Sequence, residues 1–532
     1  MMTSGYSLNQ ALAEDVSAMS GADNGATAGQ RPAPYARARR GIACIVVLST
    51  ALSLSGCGLP VAHTDAGLPL PAAWQAPHAT GAPNAAGATN ATNATNTTNA
   101  TNATNAADAS SVTDAANAAR VDAQWWRGYG DAELSRLVDQ ARADSYDVAA
   151  AVARVRQAEA SARIAGAPLL PEIGANLKAD RLKQSGISTQ TLYTADLSAS
   201  YELDVWGGNR AARQSALATL TATEYSRDAV LMTLTAGVAN TYLQTLGLRE
   251  RADIARRNLA TGERILAFIE SQYRAGAATA LDLSQQRGLV ASLRQSVTLF
   301  EQQARESQTA LAILTGKPPQ GFAVAANTLD TLHAPSADAG VPADLLTQRP
   351  DVAQVERQLA AADADVNVAR AAMLPSITLT ASVGYGNDHV RGLFDHPLHD
   401  LAAGLTAPIF NNGRLSGQRD LALARREELL ADYRGAIISA LGDAETALNA
   451  LDGYARQQQD QDEVVAQARE AVRLAESRYR AGAETLLTLL DTQRTQFSAE
   501  DAAVQLRLSR LQASVSLYKA LGGGWQLPTP AG

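Results

Sequence analysis

Four stretches of the chain alternate apolar and polar residues one for one. Ile173, Ala175, Leu177 and Ala179 are interleaved with Glu172, Gly174, Asn176 and Lys178. Tyr193, Ala195, Leu197, Ala199, Tyr201 and Leu203 are interleaved with Thr194, Asp196, Ser198, Ser200, Glu202 and Asp204. Ile377, Leu379, Ala381, Val383 and Tyr385 repeat the pattern, and Leu401, Ala403, Leu405, Ala407 and Ile409 form a fourth apolar face. A period of two predicts strands with one apolar and one polar side. In these stretches formal charge falls only on the polar side. About ten residues of such alternation suit a tilted transmembrane strand, although a soluble sandwich alternates in the same way. Four strands cannot close a barrel around a polar lumen, which takes about eight or more, so the pattern predicts an oligomer.

Elsewhere the period changes to that of a coiled coil. Val290, Leu293, Val297, Phe300 and Ala304 keep three-four spacing, as do Ile437, Leu441, Ala444, Leu448 and Leu451, and Val504, Leu508, Leu511, Val515 and Tyr518. Such heptads seat knobs into holes. Residues 208–274 and 412–480 contain no proline. Each stretch can run roughly 100 Å as helix at 1.5 Å per residue. Gly247 and Gly453 are the candidate breaks.

The chain also contains itself twice. Leu170-Pro171 recurs 204 residues later as Leu374-Pro375, and Trp206-Gly-Gly-Asn-Arg210 recurs at that offset as Phe410-Asn-Asn-Gly-Arg414. Tyr273-Arg-Ala-Gly-Ala277 recurs as Tyr479-Arg-Ala-Gly-Ala483, and Gly316 as Gly522, both at an offset of 206. Each copy reads helix, two strands, very long helix, turn, second helix. The repeats are expected over 121–332 and 333–525, with 526–532 as a tail.

The N-terminal part reads as processing and tethering. After Arg37, Arg39 and Arg40, an apolar run from Ile42 to Leu54 leads into Leu54-Ser55-Gly56-Cys57. This is a secretory signal architecture, with the run too short to span a bilayer comfortably as a mature helix. Residues 1–56 are therefore a signal peptide behind a polar lead, within which Met19 is an alternative start. Residues 57–120 are expected to be a disordered linker, Ala-Pro-Gly-rich at first and then an Ala-Thr-Asn tract, too polar to offset its ordering entropy. Both cysteines, Cys44 and Cys57, belong to this region, so no disulfide framework is present in the body.

Composition narrows the function. Aromatics are 5% of the chain and Ala is abundant, which suits long, closely packed helices. The net charge is -8 and no Lys/Arg-rich run marks a nucleic-acid footprint. No nucleophile–base set, cofactor fingerprint or closed metal site is apparent, so the chain reads as no enzyme. Asp388-His389 and Asp395-His396-Pro-x-His399-Asp400 are rich in ligating types, but their spacing fits no closed site and reads as a solvated loop between strands. Gly522-Gly523-Gly524 follows a helix instead of opening one, so it is no phosphate loop.

The lipobox-like ending at Cys57, Leu345-Leu346-x-x-Arg349-Pro350-Asp351, Leu374-Pro375-Ser376-Ile377, Ala407-Pro408-Ile409-Phe410 with Gly413-Arg414, and the paired Tyr-Arg-Ala-Gly turns resemble the TolC-like outer-membrane efflux family in its NodT-type lipoprotein branch. The resemblance covers roughly 121–525. It implies an α+β membrane protein: a homotrimer whose strands, four per chain, form a 12-stranded β-barrel continued by a coiled-coil periplasmic tunnel. It also implies lipidation (diacylglycerol and palmitate) at Cys57 and retention in the outer membrane. The expected function is the exit duct of a tripartite pump, passively conducting small molecules such as drugs, alongside a periplasmic adaptor and an energising inner-membrane transporter. A protein-secretion channel of the same fold is the alternative, and a periplasmic coiled-coil adaptor is disfavoured by the four strands. The turns at Tyr273, Arg274 and Gly276 and at Tyr479, Arg480 and Gly482 read as capped hairpins, with glycine supplying positive φ; the resemblance adds adaptor docking. Glu476, Asp282 and Asp491 near those turns are either surface charge or, repeated threefold, carboxylate rings at the periplasmic gate that the resemblance implies.

Overall fold

The computed structural model describes residues 66–76, 122–183, 189–335 and 339–527. Cys44, Cys57, the signal segment and the Ala-Thr-Asn tract lie outside them. Helices α1 (Ala132–Asp144) and α2 (Tyr146–Gly166) lead into strands β1 (Glu172–Leu182) and β2 (Gln190–Leu203). Next come α3 (Gly208–Arg274) and α4 (Ala280–Leu314), then α5 (Pro350–Ala371), β3 (Ser376–Asn387) and β4 (Pro397–Thr406), and finally α6 (Arg414–Arg480) and α7 (Leu486–Ala520). The duplication is close to exact in length. Both α3 and α6 have 67 residues, and both α4 and α7 have 35. Neither long helix breaks at its candidate glycine, because a glycine inside a packed coil costs only about 1 kcal/mol. The turn that opens each long helix aligns at 206, not 204: Gly207 and Gly413 carry the left-handed φ, 77° and 78°.

The four strands form one antiparallel sheet in sequence order. Its register joins the apolar positions into a single face: Ala175 lies opposite Leu197, Leu197 opposite Val383, and Ala381 opposite Leu401. The other face pairs Asn176 with Asp196, Ser198 with Ser382, and Ser382 with Asp400. On it Asn176 donates to Asp196 and Ser198, both at 3.2 Å. Strand β4 begins at Pro397, four residues before the alternation suggests, which draws His399 and Asp400 out of the loop and into the sheet. Arg181 and His399 then carry the apolar face's parity. Both sit near the loop ends of their strands.

Apolar side chains on the sheet's outer face stand open: Leu177 is 80% exposed and Leu401 82%. The main core lies elsewhere. It is where Trp125, Tyr129 and α1 pack on the middle of α3 and the second half of α7, through Leu134, Leu243, Leu246, Leu511 and Val515. All five predicted heptad positions of α7, from Val504 to Tyr518, are buried. The sheet is thus held at one end of a helical column, with no core of its own.

One correction concerns the linker. Within 57–120, residues 66–76 form a strap packed on the body. Ala66 is buried with Val352, Ile437 and Ala440, and Ala76 with Ala444 and Leu448. Trp74 donates its indole N–H to the Gly340 carbonyl at 3.0 Å, and Arg434 donates to the Ala66 carbonyl at 2.8 Å. The Ala-Thr-Asn tract therefore connects two segments that both dock on the body, and only 58–65 remains between Cys57 and the strap.

The register predicts an asymmetry between neighbouring residues. Leu197→Arg should cost the barrel about 2–4 kcal/mol near the membrane midplane. Ser198→Arg, on the polar side, should be milder. Heat-resistant oligomer recovered from the outer-membrane fraction reports both, and equal losses would contradict the assigned faces.

Candidate functional site

The two hairpin tips share one geometry. Helix α3 ends with Ala275 N–H on Ser271, Gly276 N–H on Tyr273 and Ala277 N–H on Gln272, and α6 repeats these as Ala481 on Ser477, Gly482 on Tyr479 and Ala483 on Arg478. The last bond of each set runs back five residues, which needs a left-handed residue at the turn. Gly276 (φ 74°) and Gly482 (φ 72°) supply it, and a Cβ on either would meet nothing within 4 Å. The tips are therefore locally self-sufficient and open on their outer side. Tyr273, Arg274 and Arg480 are exposed. Tyr479 is not equivalent to Tyr273: its hydroxyl donates to Gln272 at 3.2 Å and its ring meets Phe268 edge-on. Burial, then the nearby Asp282 charge, raises its pKa. This contact ties the second hairpin to the first.

The three acidic residues have different local roles. Asp282 closes a capping box: it accepts from the Thr279 backbone N–H at 2.8 Å, while its own N–H donates to the Thr279 hydroxyl at 3.1 Å. Glu476 pairs with Arg480 one turn away. Asp491 is exposed, and its carboxylate has no hydrogen bond or ion pair among the described residues.

A third locus lies midway along the column, where α7 ends and α5 begins. Arg349 is buried and forks onto Asp351 at 3.0 and 2.6 Å, reaches Asp443 on α6 at 3.1 Å, and donates to the Ala520 carbonyl at the end of α7. One guanidinium thus joins three helices. Burial works to raise the Asp351 carboxyl, but the Arg349 bonds and charge outweigh it and hold it below its usual range. Gly522 seals the joint, since a Cβ there would lie 1.8 Å from the Gln348 carbonyl oxygen.

The sequence reading marked Arg349 and Asp351 only as a motif, and it missed the strap and the Tyr479–Gln272 contact. Trp74, an aromatic inside a low-complexity stretch, was the available signal for the strap. The contact carries no signal, since nothing local to Gln272 distinguishes it. Cys57 lies outside the described residues. The histidine-rich segment stays open at Asp388 and His389, which bond each other at 2.7 Å, and no group of three ligating side chains converges among the described residues.

A family model described as outer membrane efflux protein matches residues 137–317 and 341–523. The pyoverdine export outer membrane protein OpmQ of Pseudomonas aeruginosa is 48% identical over 496 residues, covering 90% of this chain and 96% of the relative. The toluene efflux pump outer membrane protein TtgF of Pseudomonas putida is 33% identical over 419 residues, covering 76% and 86%. The solved structure of the outer membrane protein VceC of Vibrio cholerae superposes with a TM-score of 0.72 at 27% identity, covering 76% of this chain and 100% of that one.

Arg349→Ala should cost about 1–3 kcal/mol, because it strands two half-exposed carboxylates. The contribution of Asp351 has a definite sign. Its folded pKa is depressed, so its share is complete above the unfolded value and is lost as pH falls through the folded one. Thermal unfolding of wild type and Asp351→Asn should differ fully at neutral pH and converge only in acid. A gap that widens in acid would contradict the ion pair.

Proposed function

The chain belongs to the outer membrane efflux protein family, and from that premise we propose its cargo, its anchor and its contacts with the rest of its pump. It is a non-enzymatic outer-membrane channel of an efflux pump, with a periplasmic extension. Three chains contribute twelve strands to one barrel, and their long helices continue the duct. The observation that carries this role is the sheet register, which joins the alternating apolar positions of the four strands into one face and the alternating polar positions into the other, above two 67-residue helices. Conduction is passive: the wall supplies a wet path and another component supplies energy.

The cargo reading is export of pyoverdine or a molecule like it. Its support is that the relative named for pyoverdine export matches more of both chains, and at higher identity, than the one named for toluene efflux. Cys57 is the lipidated mature N-terminus. The nine residue-to-residue steps from Cys57 to Ala66 reach at most about 30 Å, a short leash from membrane to strap. A periplasmic adaptor docks on the tips at Tyr273, Arg274, Gly276, Tyr479, Arg480 and Gly482, and an inner-membrane transporter drives the assembly. Glu476, Asp282 and Asp491 line the closed periplasmic end in threefold copies, and adaptor contacts bias an untwisting of the tips.

A deletion strain should stop releasing the pyoverdine-type molecule to the medium while keeping its toluene tolerance. The wild-type gene should restore release. Gly482→Trp should not, although its trimer assembles normally, whereas Glu476→Ala or Asp491→Ala should restore release and raise the ion leak in a bilayer recording. Unchanged release in the deletion strain overturns the cargo reading. Loss of trimer in Gly482→Trp, with adaptor binding per trimer intact, overturns the docking role.

Mass spectrometry of the purified N-terminus should find diacylglycerol on Cys57. An unmodified Cys57, or a mature chain starting elsewhere, contradicts the anchor.

A further inference from the structure

We propose that each chain carries, on the lumen wall beside the Arg349 joint, a polar groove that binds a small acidic molecule in transit, such as an acidic peptide. The inference rests on the chain being an export duct, and not on which cargo it exports. The groove encloses about 760 Å³ between α3, α6 and α7. Asn240, Thr446, Ser509, Gln512, Ser516 and Lys519 surround it, and Gly442 leaves its wall open, since a Cβ there would meet nothing within 4 Å.

Its position follows from α7. Ser514, Leu517, Tyr518 and Leu521 at the end of this helix face Tyr129, Trp125 and the neighbourhood of the strap. At 3.6 residues per turn, Ser509, Gln512 and Ser516 fall on the opposite side. The strap and α1 must lie outside the tunnel, because three copies of these packed segments would obstruct its lumen. The groove therefore opens inward.

Two of its groups lack partners. The Lys519 ammonium has no hydrogen bond or ion pair among the described residues, although Asp443 stands in the same groove, because Asp443 is held by Arg349. The side-chain amide oxygen Oδ1 of Asn240 is buried and accepts no hydrogen bond among the described residues. An unpaired cation, an unfilled acceptor and a rim of hydroxyls suit a ligand with a carboxylate and an amide N–H. The competing explanation is that Lys519, in the last turn of α7, serves only the helix dipole.

The test titrates the full-length trimer in detergent with tri-glutamate and with tri-glutamine, read by saturation-transfer NMR. Tri-glutamate should bind saturably. Lys519→Gln should weaken it about tenfold or more and leave tri-glutamine unchanged, a loss expected for one charge-assisted hydrogen bond. Lys519→Arg should keep the affinity, as should Lys178→Gln on the barrel wall. Gly442→Leu, which fills the groove without changing charge, should weaken both peptides and give a second reading should Lys519→Gln fold poorly. Absence of saturable binding overturns the proposal, and so does an equal loss in Lys178→Gln, which would mean a general charge effect of the lumen. An unfolding midpoint lowered in Lys519→Gln, with affinity unchanged, assigns the lysine to the helix dipole instead.

Discussion

The lipid interior provides no partner for an open strand edge, and the architecture depends on that constraint. A four-stranded sheet leaves the backbone N–H and C=O groups along one side of β1 and one side of β4 without strand partners among the described residues of its own chain. Each such group costs several kcal/mol in hydrocarbon, so a spanning sheet has to close. This chain cannot close one alone around a polar lumen, and twelve strands from three chains can. The same closure sets a threefold frame for everything below the membrane. The helices that continue the strands inherit it, as do the tips and the Arg349 joints.

The joint explains how two copies of one unit form a column instead of two separate arms. Helix α7 ends where α5 begins, and the Arg349 guanidinium spans the gap by binding Asp351 beside it, Asp443 on α6 and the Ala520 carbonyl at the end of α7. Trp125 stacking on Tyr518 at 5.1 Å braces the outer side of the same level. The level of the joint is therefore firmly tied. Nearer the tips the two hairpins are linked by the Arg251–Asp501 fork and by Tyr479 on Gln272.

Much of this was legible in the residues, and the limits have physical causes. Strand alternation marked the two faces because lipid and water impose opposite demands on successive side chains. Heptads marked the coiled helices for the same reason, and each heptad position of α7 from Val504 to Tyr518 is buried. The repeat of Tyr-Arg-Ala-Gly at 206 was legible because a left-handed turn admits few residues, and Gly276 and Gly482 adopt it. The strap was not legible: Leu68, Leu70 and Trp74 are too few and too spread among Ala and Pro to give any period, and they order only against a surface built elsewhere. The Lys519 groove was equally hidden, because its walls combine α3 with distant parts of α6 and α7.

The central claim is that three chains close a single duct, apolar outside and wet within. Single-particle imaging of the full-length protein in lipid nanodiscs tests it most directly. The expected particle has threefold symmetry, one central lumen, a strand barrel inside the lipid belt and a helical column of roughly 100 Å beyond it. A particle in which each chain encloses its own pore, or in which the sheet lies outside the lipid belt, would contradict it.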